Sequence, residues 1–139
     1  MAEHGIIIPA LRYRDAPSAI DFLCQAFGFE RHLVVQGNEG KIDHAQLTLG
    51  NAMVILSSIV DSPYGPLVRQ PDVAGGVTQS PYIIVADADA HYERTLAAGA
   101  KILIGLMDQD YGGRGYSCAD PEGHVWNFGT YNPWAEPKG

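Results

Sequence analysis

The side chains best suited to chemistry in this chain lie along one predicted strand. His44, Gln46 and Thr48 alternate with apolar residues, a period typical of a β-strand with one polar face. An imidazole on such a face can hydrogen-bond a ligand or act as a general base. It can equally be a structural histidine that bonds a neighbouring strand or solvent, and the sequence leaves both interpretations open.

A second set of candidates lies in the segment 110–131, which reads DYGGRGYSCADPEGHVWNFGTY. Its Asp-Pro-Glu-Gly sequence at 120–123 is typical of a tight turn, and β-compatible runs on either side predict a hairpin. Arg114 follows two glycines and can reach a ligand anion. Alternatively, it can pair with Asp110 or Asp120 and stiffen the loop.

Aromatic side chains recur along this hairpin and divide between two roles. Some must pack against a helix, and the others can line an apolar wall and stack on a planar ligand. If Asn127 faces a cleft, Trp126 and Phe128 face the helix, because neighbours in a strand point to opposite faces. The remaining aromatic candidates are Tyr111, Tyr116 and Tyr131, and Tyr82 shares a predicted face with Ser80.

The other histidines and the cysteines are predicted to be structural. His4, His32, His91 and His124 have no partner at the spacing of a metal-binding pair, so each is expected at the surface. Cys24 repeats the inward rhythm of a predicted helix and is expected to be a buried thiol. Two cysteines do not make a disulfide framework, which favours a reducing cytoplasm.

Composition restricts the class of protein. The chain has 139 residues, enough for one domain, with a net charge of −7 and a pI of about 5.0. This charge argues against nucleic-acid binding and against a polyanionic membrane surface. No apolar run reaches the roughly 18 residues of a membrane span. A soluble cytoplasmic protein is therefore expected, without nucleic-acid or membrane partners.

The elements that must position these residues occur twice in the same order. In the first half, Asp15 is a predicted helix cap and Gly28 a predicted helix end, between strands at 6–13, 30–35, 43–49 and 52–57. In the second half, Asp87 or Asp89 caps a helix that Gly99 closes, between strands at 82–86, 101–105, 116–119 and 124–128.

The repeat predicts an α+β fold of two βαβββ modules. The modules cover 1–60 and 79–131, joined by a connection at 61–78 and followed by a C-terminal tail at 132–139. A four-stranded sheet with one helix leaves a face open, so we expect the modules to form a curled mixed sheet with a cleft. At this size we expect a homodimer.

Two such modules with DPEGH and a tryptophan in the last hairpin resemble the vicinal oxygen chelate superfamily. This superfamily holds glyoxalase I, extradiol dioxygenases and bleomycin-resistance proteins. The resemblance extends from Pro9 to Tyr131 and rests on LRYRDAPSAIDFL at 11–23, HAQLTLGNAMVILSS at 44–58, VADADAHYERTLAAGAKI at 85–102 and the hairpin. Because metalloenzymes and metal-free binding proteins share this scaffold, function must be argued from the site.

The resemblance also implies where the enzymes of the superfamily place four metal ligands. Carried over by position, these places fall on Ile8, Ile55, Ser80 and Asn127. None holds an imidazole or a carboxylate, and a shift of one residue from Ser80 gives only the neutral amide of Gln79. The resemblance therefore predicts neither a metal nor another cofactor in this chain.

The sequence thus predicts a metal-independent protein that binds or sequesters an apolar or aromatic natural product, as the bleomycin-resistance type does. No catalytic residue is assigned, and the acidic charge suits a cationic ligand. The alternative is a metal-dependent lyase, isomerase or dioxygenase of the glyoxalase type with a displaced site around His44. The expected ligand contacts are Ile8, His44, Gln46, Ile55, Ser80, Tyr82, Tyr111, Arg114, Tyr116 and Asn127.

Overall fold

The computed structural model describes residues 5–135. The predictions for His4 and for the tail at 136–139 lie outside the described residues. The first module comprises β1 (Ala10–Tyr13), α1 (Ala16–Phe22) with a π-helical continuation (Leu23–Phe27), β2 (Glu30–Gln36), β3 (Ile42–Leu49) and β4 (Ala52–Ser58). β1 begins later than the strand predicted from residue 6, because the isoleucines before Pro9 are exposed and lie outside the sheet.

The second module repeats this order after a connection that contains the short helix α2 (Pro71–Ala74). It comprises β5 (Tyr82–Ile84), α3 (Ala88–Ala97), β6 (Lys101–Asp108), β7 (Arg114–Ala119) and β8 (Val125–Gly129). The strand orders are β1-β4-β3-β2 and β5-β8-β7-β6, and the first pair in each order is parallel. The predicted α+β fold of two βαβββ modules is confirmed, with one four-stranded mixed sheet in each.

Local capping fixes where both long helices begin and end. Asp15 Oδ1 accepts a hydrogen bond from the amide of Ser18 at 3.2 Å, and Asp87 Oδ1 accepts from Ala90 at 3.0 Å. Of the two caps considered for α3, Asp87 is therefore the observed one. Gly28 and Gly99 follow the two helices with φ of 89°, a left-handed conformation that glycine adopts without steric cost.

Each sheet packs one face on the helices and leaves the other face open. Ala45 and Leu47 of β3 are buried on the helix side, whereas His44 and Gln46 lie on the opposite face. The modules meet helix side to helix side: the Phe27 ring centre lies 4.7 Å from that of Phe128. Trp126 and Phe128 face the helices, as predicted for an outward Asn127.

Side chains of α3 satisfy the end of the first helix. A helix leaves its last carbonyls without intrahelical partners, and here those of residues 24–27 are all engaged from α3. Arg94 donates to two of them at 2.9 and 3.1 Å, and Thr95 donates to a third at 3.1 Å. His91 Nε2 lies 2.9 Å from the fourth. These bonds hold the modules together.

The Asp-Pro-Glu-Gly turn adds a second junction between the modules. The buried Asp120 carboxylate accepts hydrogen bonds from the Tyr13 hydroxyl at 2.6 Å and from Trp126 Nε1 at 3.0 Å. Burial and the neighbouring carboxylate raise the pKa of Tyr13 well above its usual value. Glu122 accepts from the backbone amides of Arg14 and Asp15 at 2.7 and 2.8 Å.

Two histidines expected at the surface lie in these contacts between the modules instead: His91 on α3, and His124 beside the Asp-Pro-Glu-Gly turn. His91 is half-buried, and burial lowers the pKa of its imidazole. His124 packs on the Tyr13 ring, with 4.8 Å between ring centres, and its Nε2 lies 3.0 Å from the Arg12 carbonyl. The sequence could not show this because the partners of His124 lie more than a hundred residues away.

Both cysteines are free thiols. Cys118 is buried, while Cys24 is only half-buried, which corrects the prediction of a buried thiol. Among residues 5–135, no helix is long and apolar enough to cross a membrane.

Candidate functional site

The candidate side chains are distributed over the open faces of the two sheets. His44, Gln46 and Ile55 lie on the open face of the first sheet, and Tyr82 and Asn127 lie on that of the second. Because the modules join through the opposite faces, this chain presents two open faces rather than one shared set of contacts.

On the first sheet, an imidazole and an amide lie side by side. The Gln46 amide nitrogen is 3.0 Å from His44 Nε2, so the amide donates to a ring that carries its proton on Nδ1. Gln46 is opposite Ile55 in the strand register. Ile8, 41% exposed, is next to Pro9, whose carbonyl accepts from the Ile55 amide at 2.9 Å. This face therefore combines one polar pair with aliphatic surface.

On the second sheet, the open face forms a groove of about 350 Å³. β7 and β8 form its floor, and β6 with the loop before β7 forms its wall. Several lining residues are candidates from the sequence, but the wall residues Ile104, Met107 and Gln109 are not among them. The predicted strand ends at residue 105, whereas β6 extends to Asp108, so Met107 was not expected in the sheet.

Asn127 lies in the floor and makes hydrogen bonds with all of its polar groups. Its Oδ1 accepts from the Ser117 hydroxyl at 2.6 Å. Its Nδ2 donates to Ser80 Oγ at 2.9 Å and to the Pro81 carbonyl at 3.0 Å. The amide plane is thus held in one orientation, and Ser80 is brought next to Asn127 as a second candidate residue.

Tyrosines stand at the mouth of the groove. The Tyr82 hydroxyl donates to the Tyr131 carbonyl at 2.7 Å, and burial raises the pKa of this phenol. The Tyr82 ring lies over Gly129, where a Cβ would come within 2.9 Å of the hydroxyl. Tyr111 packs edge-on against Tyr131 with 4.8 Å between ring centres. The groove therefore has an aromatic rim beside a glycine surface.

Arg114 lies at the edge of the groove but with partners other than those predicted. Its Nε donates to Asp89 at 2.8 Å and its Nη1 donates to Asp108 at 3.1 Å, so Asp110 and Asp120 are not its partners. The hydrogen bond to Asp89 is the main reason that the pKa of the guanidinium is raised. The two carboxylates thus neutralise the charge of the Arg114 guanidinium.

Tyr116 is placed differently from the other candidates. Its side chain is buried on the helix side, and its hydroxyl lies 2.6 Å from His91 Nδ1 and 2.7 Å from Thr95 Oγ1. Burial raises the pKa of this phenol. The hydroxyl points away from the groove, so only the main chain of Tyr116 remains as a contact for a ligand there.

The four places implied for metal ligands fall into two pairs. Ile8 and Ile55 belong to the first sheet, and Ser80 and Asn127 belong to the second. Isoleucine has no donor atom, and the serine and asparagine offer only neutral oxygens, so this set does not fit a catalytic divalent metal. Within residues 5–135, no three His, Cys, Asp or Glu side chains are grouped to hold a metal ion.

Comparison with known proteins adds one family and several relatives. Residues 5–128 match the family described as Glyoxalase/Bleomycin resistance protein/Dioxygenase superfamily. An uncharacterized protein of Mycobacterium bovis is 38% identical over 121 residues, which are 87% of this chain and 80% of that protein.

Solved structures show the same architecture. TioX from Micromonospora sp. ML1 matches with a TM-score of 0.74 and 32% identity, over 93% of this chain and 100% of TioX. The fosfomycin resistance protein FosX from Listeria monocytogenes, solved as a mutant with Mn(II), matches with a TM-score of 0.66. At 15% identity over 95% of this chain and 94% of FosX, that likeness shows the fold alone.

Proposed function

The chain belongs to the Glyoxalase/Bleomycin resistance protein/Dioxygenase superfamily, and from this premise we propose that it binds an apolar, aromatic small molecule without a metal ion and without transforming it. The groove on the second sheet is the proposed site. The observation that carries the proposal is the donor chemistry at the four places where the enzymes of this superfamily hold their metal.

The absence of ligating atoms at these places affects both sheets. An open catalytic site needs about three protein ligands, typically imidazoles or carboxylates. Ile55 cannot contribute one from the first sheet, and the polar atoms of Asn127 are already bonded to Ser80, Ser117 and Pro81 on the second. A metal at Asn127 would have to displace these bonds and would gain only neutral oxygens.

The lining of the groove supports an aromatic ligand. Tyr82 and Tyr111 offer ring surfaces at its mouth, and Ile104 and Met107 offer an apolar wall. Tyrosine supplies a large contact area with few rotatable bonds, which suits the stacking of a planar molecule. A volume of about 350 Å³ falls within the range of small-molecule sites.

A metal-dependent lyase, isomerase or dioxygenase is the second candidate function. The observation that favours it is the imidazole of His44, which stands next to Gln46 on the open face of the first sheet. One imidazole and one amide are fewer ligands than an open metal site needs. This candidate would need further ligands from outside that face.

We also propose a homodimer that forms along the edge strands of the two sheets. β2 and β6 are edge strands, and they carry exposed apolar side chains: Leu33, Val35, Ile104 and Met107. Apolar residues on a sheet edge favour association with another chain. Size-exclusion chromatography with light scattering should give about twice the 15.0 kDa chain mass, and a monomer at micromolar concentration would contradict the dimer.

The free thiols of Cys24 and Cys118 agree with a cytoplasmic location for the protein.

Metal analysis and ligand binding on one preparation test the proposed function. Protein purified without chelators should contain far less than one metal ion per chain. Its affinity for the neutral probes 2-naphthol and 2-methoxynaphthalene should be unchanged after dialysis against EDTA. Stoichiometric zinc, nickel, manganese or iron, whose removal abolishes binding or an activity, would overturn the proposal in favour of the metalloenzyme.

A pair of phenylalanine substitutions locates the site. Ser117→Phe places a ring in the floor of the groove and should abolish binding of both probes. Glu93→Phe places the same ring on the exposed surface of α3 and should leave binding unchanged. If Ser117→Phe bound the probes as tightly as Glu93→Phe does, the ligand would lie elsewhere and the groove would not be the site.

A further inference from the structure

We propose that the groove selects an aromatic ligand that donates a hydrogen bond from a neutral group, such as a phenolic hydroxyl or a ring N–H. This inference rests on the proposed function and specifies the chemistry of the ligand at that same site. It depends on which polar atoms of the floor retain an unused proton and which retain only lone pairs.

Ser117 and Asn127, whose side chains line the floor, have no donor left for a ligand, and the Ser80 hydroxyl that accepts from Asn127 does not line the groove. Both N–H groups of the Asn127 amide donate within the protein, to Ser80 and Pro81. The Ser117 hydroxyl donates its single proton to Asn127. Beside the floor, the Tyr82 hydroxyl of the aromatic rim likewise donates its single proton to the Tyr131 carbonyl. Each of these oxygens keeps a lone pair, so the floor offers acceptors only.

Donors remain at the mouth. In the described part of the chain, the amide of the half-buried Gln109 side chain makes no hydrogen bond, and the Tyr111 hydroxyl is exposed. These groups reach solvent and can bond water when no ligand is present. A ligand donor therefore belongs at the floor, and ligand acceptors belong at the mouth.

Charge decides between neutral and ionic ligands. Arg114 is the one charged side chain that lines the groove within residues 5–135, and Asp89 and Asp108 already hold it. A carboxylate ligand would meet lone pairs at the floor, and the positive charge of Arg114 is already shared between two carboxylates. An ammonium ligand would find no free carboxylate in the lining. The neutral lining therefore replaces the expectation of a cationic ligand, which rested on the net charge alone.

The wall and the aromatic rim account for the aromatic part. Gly115 and Gly129 are opposite each other in the register of β7 and β8, so the floor beside Tyr82 carries no side chain. The Tyr82 ring already covers Gly129, so a planar ligand ring packs against the aromatic rim and Met107 instead. The hydrogen-bond donor on the edge of the ring then meets Ser117 and Asn127.

A methyl ether provides the test, because it removes the donor and keeps the ring. 2-Naphthol should bind the wild-type protein at least about tenfold more tightly than 2-methoxynaphthalene, since an acceptor left without its donor loses roughly one hydrogen bond. 2-Naphthoate should bind more weakly than 2-naphthol. Dissociation constants from equilibrium dialysis of the full chain give these ratios.

Matched alanine variants connect the ratio to the floor. Ser117→Ala removes one acceptor and should reduce the preference for the naphthol severalfold. Ser57→Ala makes the same change on the open face of the first sheet and should leave the preference unchanged. An effect of Ser57→Ala alone would overturn the assignment to the second sheet.

The outcomes separate this inference from the proposed function. If Ser117→Phe blocks both probes but the ether binds as tightly as the naphthol, the groove is a ligand site and the donor inference is wrong. If 2-naphthoate binds best, the inference is equally wrong, and Arg114 is the group to examine. If neither neutral probe binds, the proposed function itself is contradicted, and the inference fails with it.

Discussion

Tyr116 and Ser117 are neighbours in β7, yet they belong to two different environments. The Tyr116 hydroxyl is buried against His91 and Thr95 on the helix side, in a network that joins the two modules. The Ser117 hydroxyl bonds Asn127 within its own sheet, at the floor of an open groove. One face of the sheet therefore holds the fold together, and the other is the open face that carries the proposed ligand site.

The family signature in the last hairpin also contains residues of both environments. Its turn, from Asp120 to Gly123, bonds Tyr13 and the start of α1, so the turn serves the junction between the modules. Its second strand places Asn127 in the groove and Trp126 in the core. A signature can thus report the fold at its turn while the next residues determine whether a metal can be bound.

The largest expected effect on stability comes from the junction at the Asp-Pro-Glu-Gly turn. Asp120→Ala removes the acceptor of Tyr13, Trp126 and the amides of Glu122 and His124. Because buried donors are left without partners, the free energy of unfolding should fall by about 3–5 kcal/mol in urea denaturation. Asp110→Ala, an exposed change in the same hairpin, is the control and should stay within about 0.5 kcal/mol. Equal effects would show that the turn does not hold the modules.

A substitution at each of two neighbours tests the two faces directly. Tyr116→Phe should lower the free energy of unfolding by about 1–2 kcal/mol and leave the dissociation constant for 2-naphthol unchanged. Ser117→Ala should weaken binding and destabilise the fold less, because water can replace its bond on an open face. If Tyr116→Phe changed binding as strongly as Ser117→Ala, the separation of the faces would be wrong.

A smaller effect is expected from pH. Burial, with a lesser contribution from Arg94, lowers the pKa of His91 below its usual 6.5. The unfolded chain therefore binds more protons than the folded one once the pH falls below that value, and stability decreases with further acidification. His91→Gln should show a smaller loss of stability than the wild type between about pH 7 and pH 5. A histidine that titrates at its ordinary value by NMR would refute this burial effect.

The smallest effect on stability is expected from the exposed ion pair between Arg14 and Asp72. Arg14 donates two hydrogen bonds to Asp72 of α2 at 2.9 and 3.0 Å, but both side chains are about half or more exposed. Exposed pairs contribute little and are screened by salt. Arg14→Ala should barely change the unfolding midpoint, and any change should disappear in high salt. A large, salt-independent loss of stability would contradict the expectation that this exposed pair contributes little.

Features set by neighbours in sequence could be predicted. The cap at Asp15 bonds an amide three residues away, so residue types locate the start of α1. For α3 the same signals allow Asp87 or Asp89, and the structure has Asp87. Alternation along β8 likewise predicts that Asn127 and Trp126 face opposite sides, because side chains in a strand alternate. The two βαβββ modules follow from these local patterns and from their repetition.

Features that depend on distant partners could not be predicted. The sequence suggests Asp110 or Asp120 as the ion-pair partner of Arg114, but its nearest carboxylate is that of Asp89 on α3. No local rule selects a partner 25 residues away. The position of Tyr116 on the helix side followed from Asn127 as well, once the register of β7 against β8 was known.

By itself, the sequence determined the modules, the cap at Asp15 and the kinds of side chain at the four family ligand places. These are local quantities, fixed by spacing, turn chemistry and residue type. Only the tertiary structure decided that the modules join through α3 and the Asp120 turn, and that the candidates separate onto two open faces. It also decided which polar atoms of the floor keep a free lone pair, because the count of used protons depends on partners that folding brings together.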